Sequence, residues 1–137
     1  MTDQTTRLVL PSHIEAVADA AAAVTDFIKH CGASEEVGFG VDMSVREAVT
    51  NAIVHGNHED ESKSVELILN CRDNELEVEV RDQGSGFNPS AVADPTDPAN
   101  LMKTSGRGIF LMKTFMDEIK WLPAPAGGMA VRMTKRF

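Results

Sequence analysis

The stretch from Ser44 to Gly56, SVREAVTNAIVHG, places polar side chains at every fourth position inside an otherwise apolar segment. Glu47, Asn51 and His55 are each about one helical turn apart, so on a helix they form one stripe that drifts by only about 40° per step. Polar groups on an apolar segment need partners, because burying them unpaired costs free energy. The segment is therefore predicted to be a helix whose polar stripe faces a binding site.

Length, charge and cysteine content narrow the class of protein. A chain of 137 residues predicts a single domain over 1–137 with a substantial core. Thirteen Lys and Arg against 21 Asp and Glu give a formal charge of −8, which argues against a nucleic-acid partner because phosphate backbones attract basic surfaces. Cys31 and Cys71 are expected to be reduced core residues. Without a leader-like start or a membrane-spanning run, the expected compartment is the cytoplasm.

The first part of the chain predicts a strand followed by two helices. A short apolar strand over 6–10 precedes a helical pattern, for which Ser12 and Glu15 give a capping-box signature. Gly32 is predicted to end this helix. Ser34 is predicted to cap the second helix, which carries the polar stripe.

Period-two patterns predict the strands of the second part. The runs 65–71 and 76–81 are predicted to form a hairpin joined at Asp73-Asn74, with its glutamate row on a solvated face. The runs 119–122 and 129–137 form a final pair. Strands grouped as hairpins predict an α+β two-layer sandwich, in which helices lie on one face of a mixed, mainly antiparallel sheet.

A segment rich in Gly, Pro, Asp and Ser runs from residue 83 to 105, directly after the hairpin. It is longer than an ordinary connection, and such loops are commonly functional lids or disordered. At its start, Gly84 and Gly86 let the backbone approach a ligand, and Asp82 can accept a hydrogen bond from an exocyclic amine. By itself this motif is equally compatible with a tight turn.

A second glycine pair, Gly106 and Gly108, precedes a short apolar helix over 109–116. The free N–H groups and the positive end of that helix could bind phosphate oxygens, although the glycines could also simply end a flexible loop. The glycine spacings match neither the P-loop nor the dinucleotide-binding fingerprint. Together the two pairs predict another kind of nucleotide site.

These motifs occur in one order: EAxxNAxxHG, then DxGxGF, then the long loop, then GxG. In this combination the chain resembles the GHKL ATPase superfamily, which has the Bergerat fold of histidine kinases, gyrase B and Hsp90. Within the superfamily, the short length and the segments GRGIFLMKTFMDE and GGMAVRMTK resemble the anti-sigma factor serine kinases of the RsbW and SpoIIAB type. The resemblance covers nearly the whole chain.

The resemblance implies a role for each matching residue. Asn51 would coordinate a Mg²⁺ ion that bridges the phosphates of ATP. Asp82 would hold the adenine amino group, with Gly84 and Gly86 in the adjoining turn. Glu47 would be the general base that accepts the proton of a partner's serine hydroxyl, and a carboxylate one helical turn from the metal ligand can reach that nucleophile.

The resemblance also implies a phosphate site at the end of the lid. Gly106 and Gly108 match the glycines that close on the phosphates. Lys103 and Arg107 are the cations available for the γ-phosphate, since Thr104 stands where some relatives have an arginine.

The function implied by the resemblance is that of an ATP-dependent serine protein kinase that regulates transcription. It would phosphorylate a STAS-type anti-anti-sigma protein, sequester a sigma factor and act as a homodimer, with neither nucleic acid nor membrane as a partner. The alternative is a catalytically silent, nucleotide-gated binding switch of the same fold, and the presence of both Glu47 and Asn51 favours the kinase. His55 is interpreted as a packing or capping residue.

Overall fold

The computed structural model describes residues 4–84, 108–125 and 127–137. In chain order its elements are β1 (Gln4–Pro11), α1 (Ala16–Cys31), α2 (Glu35–Asn51), a π-helical turn (Ala52–Gly56), β2 (Ser64–Arg72), β3 (Glu75–Arg81), α3 (Gly108–Phe115), β4 (Glu118–Pro123) and β5 (Met129–Arg136). None of the helices in these ranges has the length and hydrophobicity that a membrane-spanning segment needs.

The strands form one sheet in the order β1-β2-β3-β5-β4, and each of its pairings is antiparallel. The hairpin predicted between β2 and β3 is confirmed. Asp73 and Asn74 have φ angles of 50° and 61°, the positive values that a type I′ turn requires at both central residues. The α+β two-layer fold predicted from the sequence is confirmed, with an antiparallel rather than a mixed sheet in the described residues.

The hydrophobic core lies between one face of the sheet and the helices. Alternate residues of β2 and β3 point into it, as the period-two pattern predicts. Its largest fully buried side chains come from both layers: Ile53, Leu67, Leu69, Leu76, Met112, Met133, Val24, Val41, Val45, Val49, Val65 and Val78. Because the inner side of α2 is buried, its polar stripe of Glu47 and Asn51 lies at the edge of the core.

The outer face of the sheet carries cross-strand ion pairs rather than a solvated glutamate row. That prediction is wrong for Glu79, which is only 5% exposed and lies between Arg81 and Arg132. Burial raises the pKa of Glu79, but hydrogen bonds and charges from the two guanidinium groups outweigh it and hold the pKa below its ordinary value. Nη1 of Arg81 also lies 2.9 Å from Oε1 of Glu66, which extends the ion-pair network to β2.

Two predicted helix ends are confirmed and one is wrong. Gly32 ends α1 in the left-handed conformation, and the Ser34 hydroxyl accepts a hydrogen bond at the start of α2. The capping box of Ser12 and Glu15 does not form, and α1 has no side-chain cap. Ser12 is fully buried, and its hydroxyl donates to the backbone carbonyl of Lys63 at 2.8 Å instead.

The side chains of the two cysteines meet in the structure, a pairing that the sequence did not predict. Cys31 ends α1 and Cys71 lies in β2, and their Cα atoms are 6.3 Å apart. Both pack against the hydrophobic core, as expected. They are 40 residues apart in sequence, and only the packing of α1 on the sheet brings them together.

Gly40 allows α3 to pack closely on α2. A Cβ atom at this position would lie 2.9 Å from Cδ1 and 3.0 Å from Cβ of Phe115 in α3. Phe115 also makes an edge-to-face contact with Phe39, with ring centroids 5.8 Å apart. The contact places the helix that begins at Gly108 beside the helix that carries the polar stripe.

Replacement of Gly40 by Ala should destabilise the protein, although Ala is the better helix former by about 1 kcal/mol. The added methyl group would push α3 away from α2, and overpacking of this kind typically costs about 1–3 kcal/mol of unfolding free energy. Chemical denaturation measures the change. Gly38→Ala is the matched control, because its Cβ would lie 3.2 Å from Cγ2 of Ile28, a looser approach than the 2.9 Å at Gly40. Equal stability of the two variants would contradict this role of Gly40.

Candidate functional site

The predicted polar stripe forms at the C-terminal end of α2. The Glu47 side chain is half-buried and lies one helical turn before Asn51, the last residue of the helix. Burial raises the pKa of Glu47, and the nearby side chains of His55 and Asn51 oppose the rise without cancelling it. A carboxylate with a raised pKa is a better proton acceptor than an exposed one, provided that it remains ionised. His55 itself is exposed.

The helix changes from α to π immediately after Asn51. The N–H of Asn57 donates to the carbonyl of Ala52, five residues earlier, at 2.8 Å. One extra residue per turn displaces Gly56 and Asn57 from the places that a continuing α-helix would give them. Such π turns are frequent at functional sites. The sequence does not predict this turn, because its residues fit an α-helix equally well.

Asp82 follows β3 and is held by the backbone at the start of β5. Its N–H donates to the carbonyl of Met129, and its Oδ1 accepts from the N–H of Met129, both at 2.9 Å. Oδ1 also accepts from the N–H of Gly84 at 3.1 Å. Within the described part of the chain, Oδ2 receives no hydrogen bond, so this oxygen can accept one from a ligand.

Three glycines pack around Asp82 and leave no room for side chains. A Cβ atom on Gly56 would lie 2.3 Å from Oδ2 of Asp82, and one on Gly128 would lie 2.4 Å from its carbonyl oxygen. A Cβ on Gly84 would lie 2.3 Å from the carbonyl oxygen of Gly56. The sequence analysis identified Gly84 but missed Gly128, which reads as an ordinary hairpin residue. We call these three residues the glycine cage.

Asn57 is a buried side chain that joins the segments around Asp82, and the sequence analysis missed it too. Its Nδ2 donates to Oγ of Ser12 at 2.8 Å and to the carbonyl of Ser64 at 2.9 Å. Its Oδ1 accepts from the N–H of Gln83 at 2.7 Å. In sequence, Asn57 resembles the other polar residues of the turn that follows the helix, so no local signal identifies it.

The structure brings the two described halves of the predicted site together. Gly56, one turn beyond Asn51, packs against the carboxylate of Asp82, so the end of the helix that carries the candidate metal ligand lies beside the candidate base-binding residue. Gly108 begins α3, where the sequence analysis places the start of a helix. The remaining predicted site residues, together with residues 85–105 of the predicted lid, lie outside the described residues: Gly86, Lys103, Gly106 and Arg107.

The described residues fit a magnesium ion that is held mainly by a nucleotide. No group of three or more His, Cys, Asp or Glu side chains in the described ranges could hold a metal ion. Mg²⁺ commonly binds through one or two protein oxygens, substrate phosphates and several waters. The Asn51 amide at the end of α2 can supply one such oxygen, beside the carboxyl of Glu47.

Comparisons with known proteins identify the family of this chain. Residues 10–135 match the histidine kinase-like ATPase domain. An anti-sigma F factor of Oceanobacillus iheyensis is 32% identical, over 95% of this chain and 90% of that protein. An anti-sigma F factor of Clostridium acetobutylicum is 37% identical, over 71% of this chain and 68% of that protein.

A solved structure shows the same fold. The crystal structure of the RsbU and RsbW domains of Rv1364c from Mycobacterium tuberculosis matches 97% of this chain, with a TM-score of 0.66 and 18% identity. This chain spans 32% of the length of that protein. The chain therefore belongs to the histidine kinase-like ATPase family. Within that family it groups with the anti-sigma factors.

The role of Gly128 in the glycine cage can be tested by substitution, with the neighbouring Gly127 as the control. Gly127 and Gly128 have φ angles of 98° and 85°, so Ala at either position should cost about 1–2 kcal/mol of backbone strain. A Cβ on Gly127 would meet nothing within 4 Å, whereas one on Gly128 would collide with Asp82. Gly128→Ala should therefore be less stable than Gly127→Ala by about another 1–3 kcal/mol in chemical denaturation. Equal losses would show that the cage does not need this glycine.

Proposed function

We propose that the protein is an ATP-dependent serine protein kinase that phosphorylates a STAS-type anti-anti-sigma protein and sequesters a sigma factor. Membership of the family and the similarity to anti-sigma F factors support this function. The observation that carries the proposal is the pair of Glu47 and Asn51 at the end of one helix, whose following π turn ends at Gly56, packed against the Asp82 carboxylate. This arrangement can place a proton acceptor, a metal ligand and a base-binding group around one nucleotide.

Asp82 would select adenine. Two backbone N–H groups hold its Oδ1, and Oδ2 is the acceptor that would face the base. The exocyclic amine of adenine can donate to that oxygen, whereas guanine presents a carbonyl oxygen at the same position and would be repelled. Gly56 lets the helix end lie directly against the carboxylate.

Glu47 would act on the partner's serine. As the hydroxyl oxygen forms a bond to the γ-phosphorus and the bond to the leaving ADP oxygen breaks, Glu47 takes the hydroxyl proton. Its half-buried position raises the pKa and strengthens it as a base. Asn51 would hold Mg²⁺, which when bound neutralises charge on the phosphates.

The remaining parts of the phosphate site are proposed from the resemblance. Gly106 and Gly108 would close on the phosphates at the start of α3, with Lys103 and Arg107 as counter-charges. Residues 83–105 would be the lid that covers the nucleotide, within a single domain formed by 1–137.

We also propose that the protein acts in the cytoplasm as a homodimer. The strand β1 is at the edge of the sheet, where a second copy could pair with its backbone. Val9 in this strand is 67% exposed, so an apolar side chain is available to such an interface.

A transfer assay tests the kinase. With radiolabelled ATP and STAS proteins encoded nearby, the wild type should label a serine of its partner. Glu47→Gln should reduce the rate by at least about a hundredfold, the low end of general-base effects, while ATP still binds. Glu36→Gln, an exposed position on the same helix, should transfer normally. Tight ATP binding by the wild type without transfer to any partner would instead support the silent nucleotide-gated switch.

Base selection gives a separate prediction. In Asp82→Asn, the N–H groups of Gly84 and Met129 would hold the amide oxygen and turn the NH₂ group towards the base. A donor would then face the adenine amine, and ATP affinity should fall at least about tenfold in calorimetry, while ITP, with an acceptor at that position, should lose less. Asp73→Asn in the hairpin turn is the control and should bind ATP normally. Equal ATP affinity of wild type and Asp82→Asn would reject this base site.

A further inference from the structure

Asn57 is a fully buried polar side chain to which the chemistry proposed above assigns no part. It follows the π turn that extends the helix of Glu47 and Asn51. Both hydrogens of its amide nitrogen have acceptors, and its oxygen has a donor. A side chain so completely engaged has one permitted position, and it fixes the segments that it binds.

Asn57 is linked from two sides to Asp82, the proposed base-binding residue. Gln83, whose N–H it binds at 2.7 Å, is the residue after Asp82. The N–H of Asp82 itself is bound by Met129 at 2.9 Å, so two consecutive peptide groups at the end of β3 are held by different elements. On the other side, Asn57 is joined covalently to Gly56, which touches Oδ2 of Asp82. A shift of Asn57 would therefore move both the carboxylate and the surface that supports it.

We propose that Asn57 is a positioning residue for purine recognition. It sets the position of the Asp82 carboxylate, which would bind the base, relative to the end of α2, where Asn51 would hold the Mg²⁺ on the phosphates. The proposal rests on the proposed function, since it concerns the same nucleotide pocket. It extends that function to a residue that contacts no nucleotide atom.

The chemistry of the pocket requires an amide at this position. Nδ2 must donate to the Ser64 carbonyl while Oδ1 accepts from the Gln83 N–H. Aspartate would set a carboxylate oxygen against that carbonyl, and alanine would leave both backbone groups unpaired. Because Gln83 also binds Ser64 through its side chain, at 2.7 Å, the segment can keep its fold when the amide is lost.

The experiment measures the binding of the base end and of the phosphate end of the nucleotide separately. Wild type and Asn57→Ala are compared by calorimetry with adenosine, with Mg-ATP and with Mg-tripolyphosphate, well below the unfolding temperature of each variant. Affinity for adenosine and ATP should fall about tenfold, the equivalent of one hydrogen bond at the upper end of its usual worth, while tripolyphosphate affinity stays within about twofold. A general loss of structure would instead weaken all three ligands together.

Two further variants keep the test decisive. Ser12→Ala removes one of the three partners of Asn57 and should give a smaller loss of adenosine affinity, and it carries the test if Asn57→Ala does not fold. Asn70→Ala, on the outer face of β2, loses a hydrogen bond with Thr5 and should bind every ligand as the wild type does.

The outcomes distinguish the two levels of proposal. Unchanged adenosine affinity in folded Asn57→Ala, or a parallel loss for all three ligands, would overturn the positioning role and leave the kinase proposal intact. A wild type that binds neither ATP nor adenosine would overturn the proposed function and this role with it.

Discussion

The close approach of three backbones at Asp82 is the constraint on which the site depends. The end of the helix, the end of β3 and the turn before β5 meet around one carboxylate, and side chains at Gly56, Gly84 or Gly128 would keep them apart. Hydrogen bonds from Met129 and Gly84 fix the carboxylate in one orientation. A fixed acceptor discriminates between donors and acceptors on a ligand better than a mobile one, because no reorganisation is needed on binding.

Different parts of the helix α2 lie in different environments. Its inner side is part of the core, while its C-terminal part carries Glu47 and Asn51 one turn apart. Partial burial of Glu47 raises the pKa of its carboxyl, whereas full exposure would leave that pKa ordinary. The π turn then redirects the chain, so that Gly56 and Asn57 reach the strand ends.

Prediction succeeded where a local pattern sets the structure. The alternation of β2 and β3, the Asp73-Asn74 turn and the Gly32 stop depend on neighbouring residues, and all were confirmed. Prediction failed where a distant partner competes. Ser12 looks like a helix cap but bonds to Lys63, and Glu79 looks solvated but lies between two arginines. The meeting of Cys31 with Cys71 likewise requires the packing of α1 on β2.

By itself, the sequence determined the order of the elements, the two-layer fold and the stripe of Glu47 and Asn51, because helix and strand periodicities are local. It also indicated Asp82 and Gly84 through their place after a strand. Only the tertiary structure decided that Gly128 packs against Asp82 and that Asn57 binds the N–H of Gln83. These contacts join residues that are far apart in the chain, and no spacing in the sequence encodes the distances that bring them together.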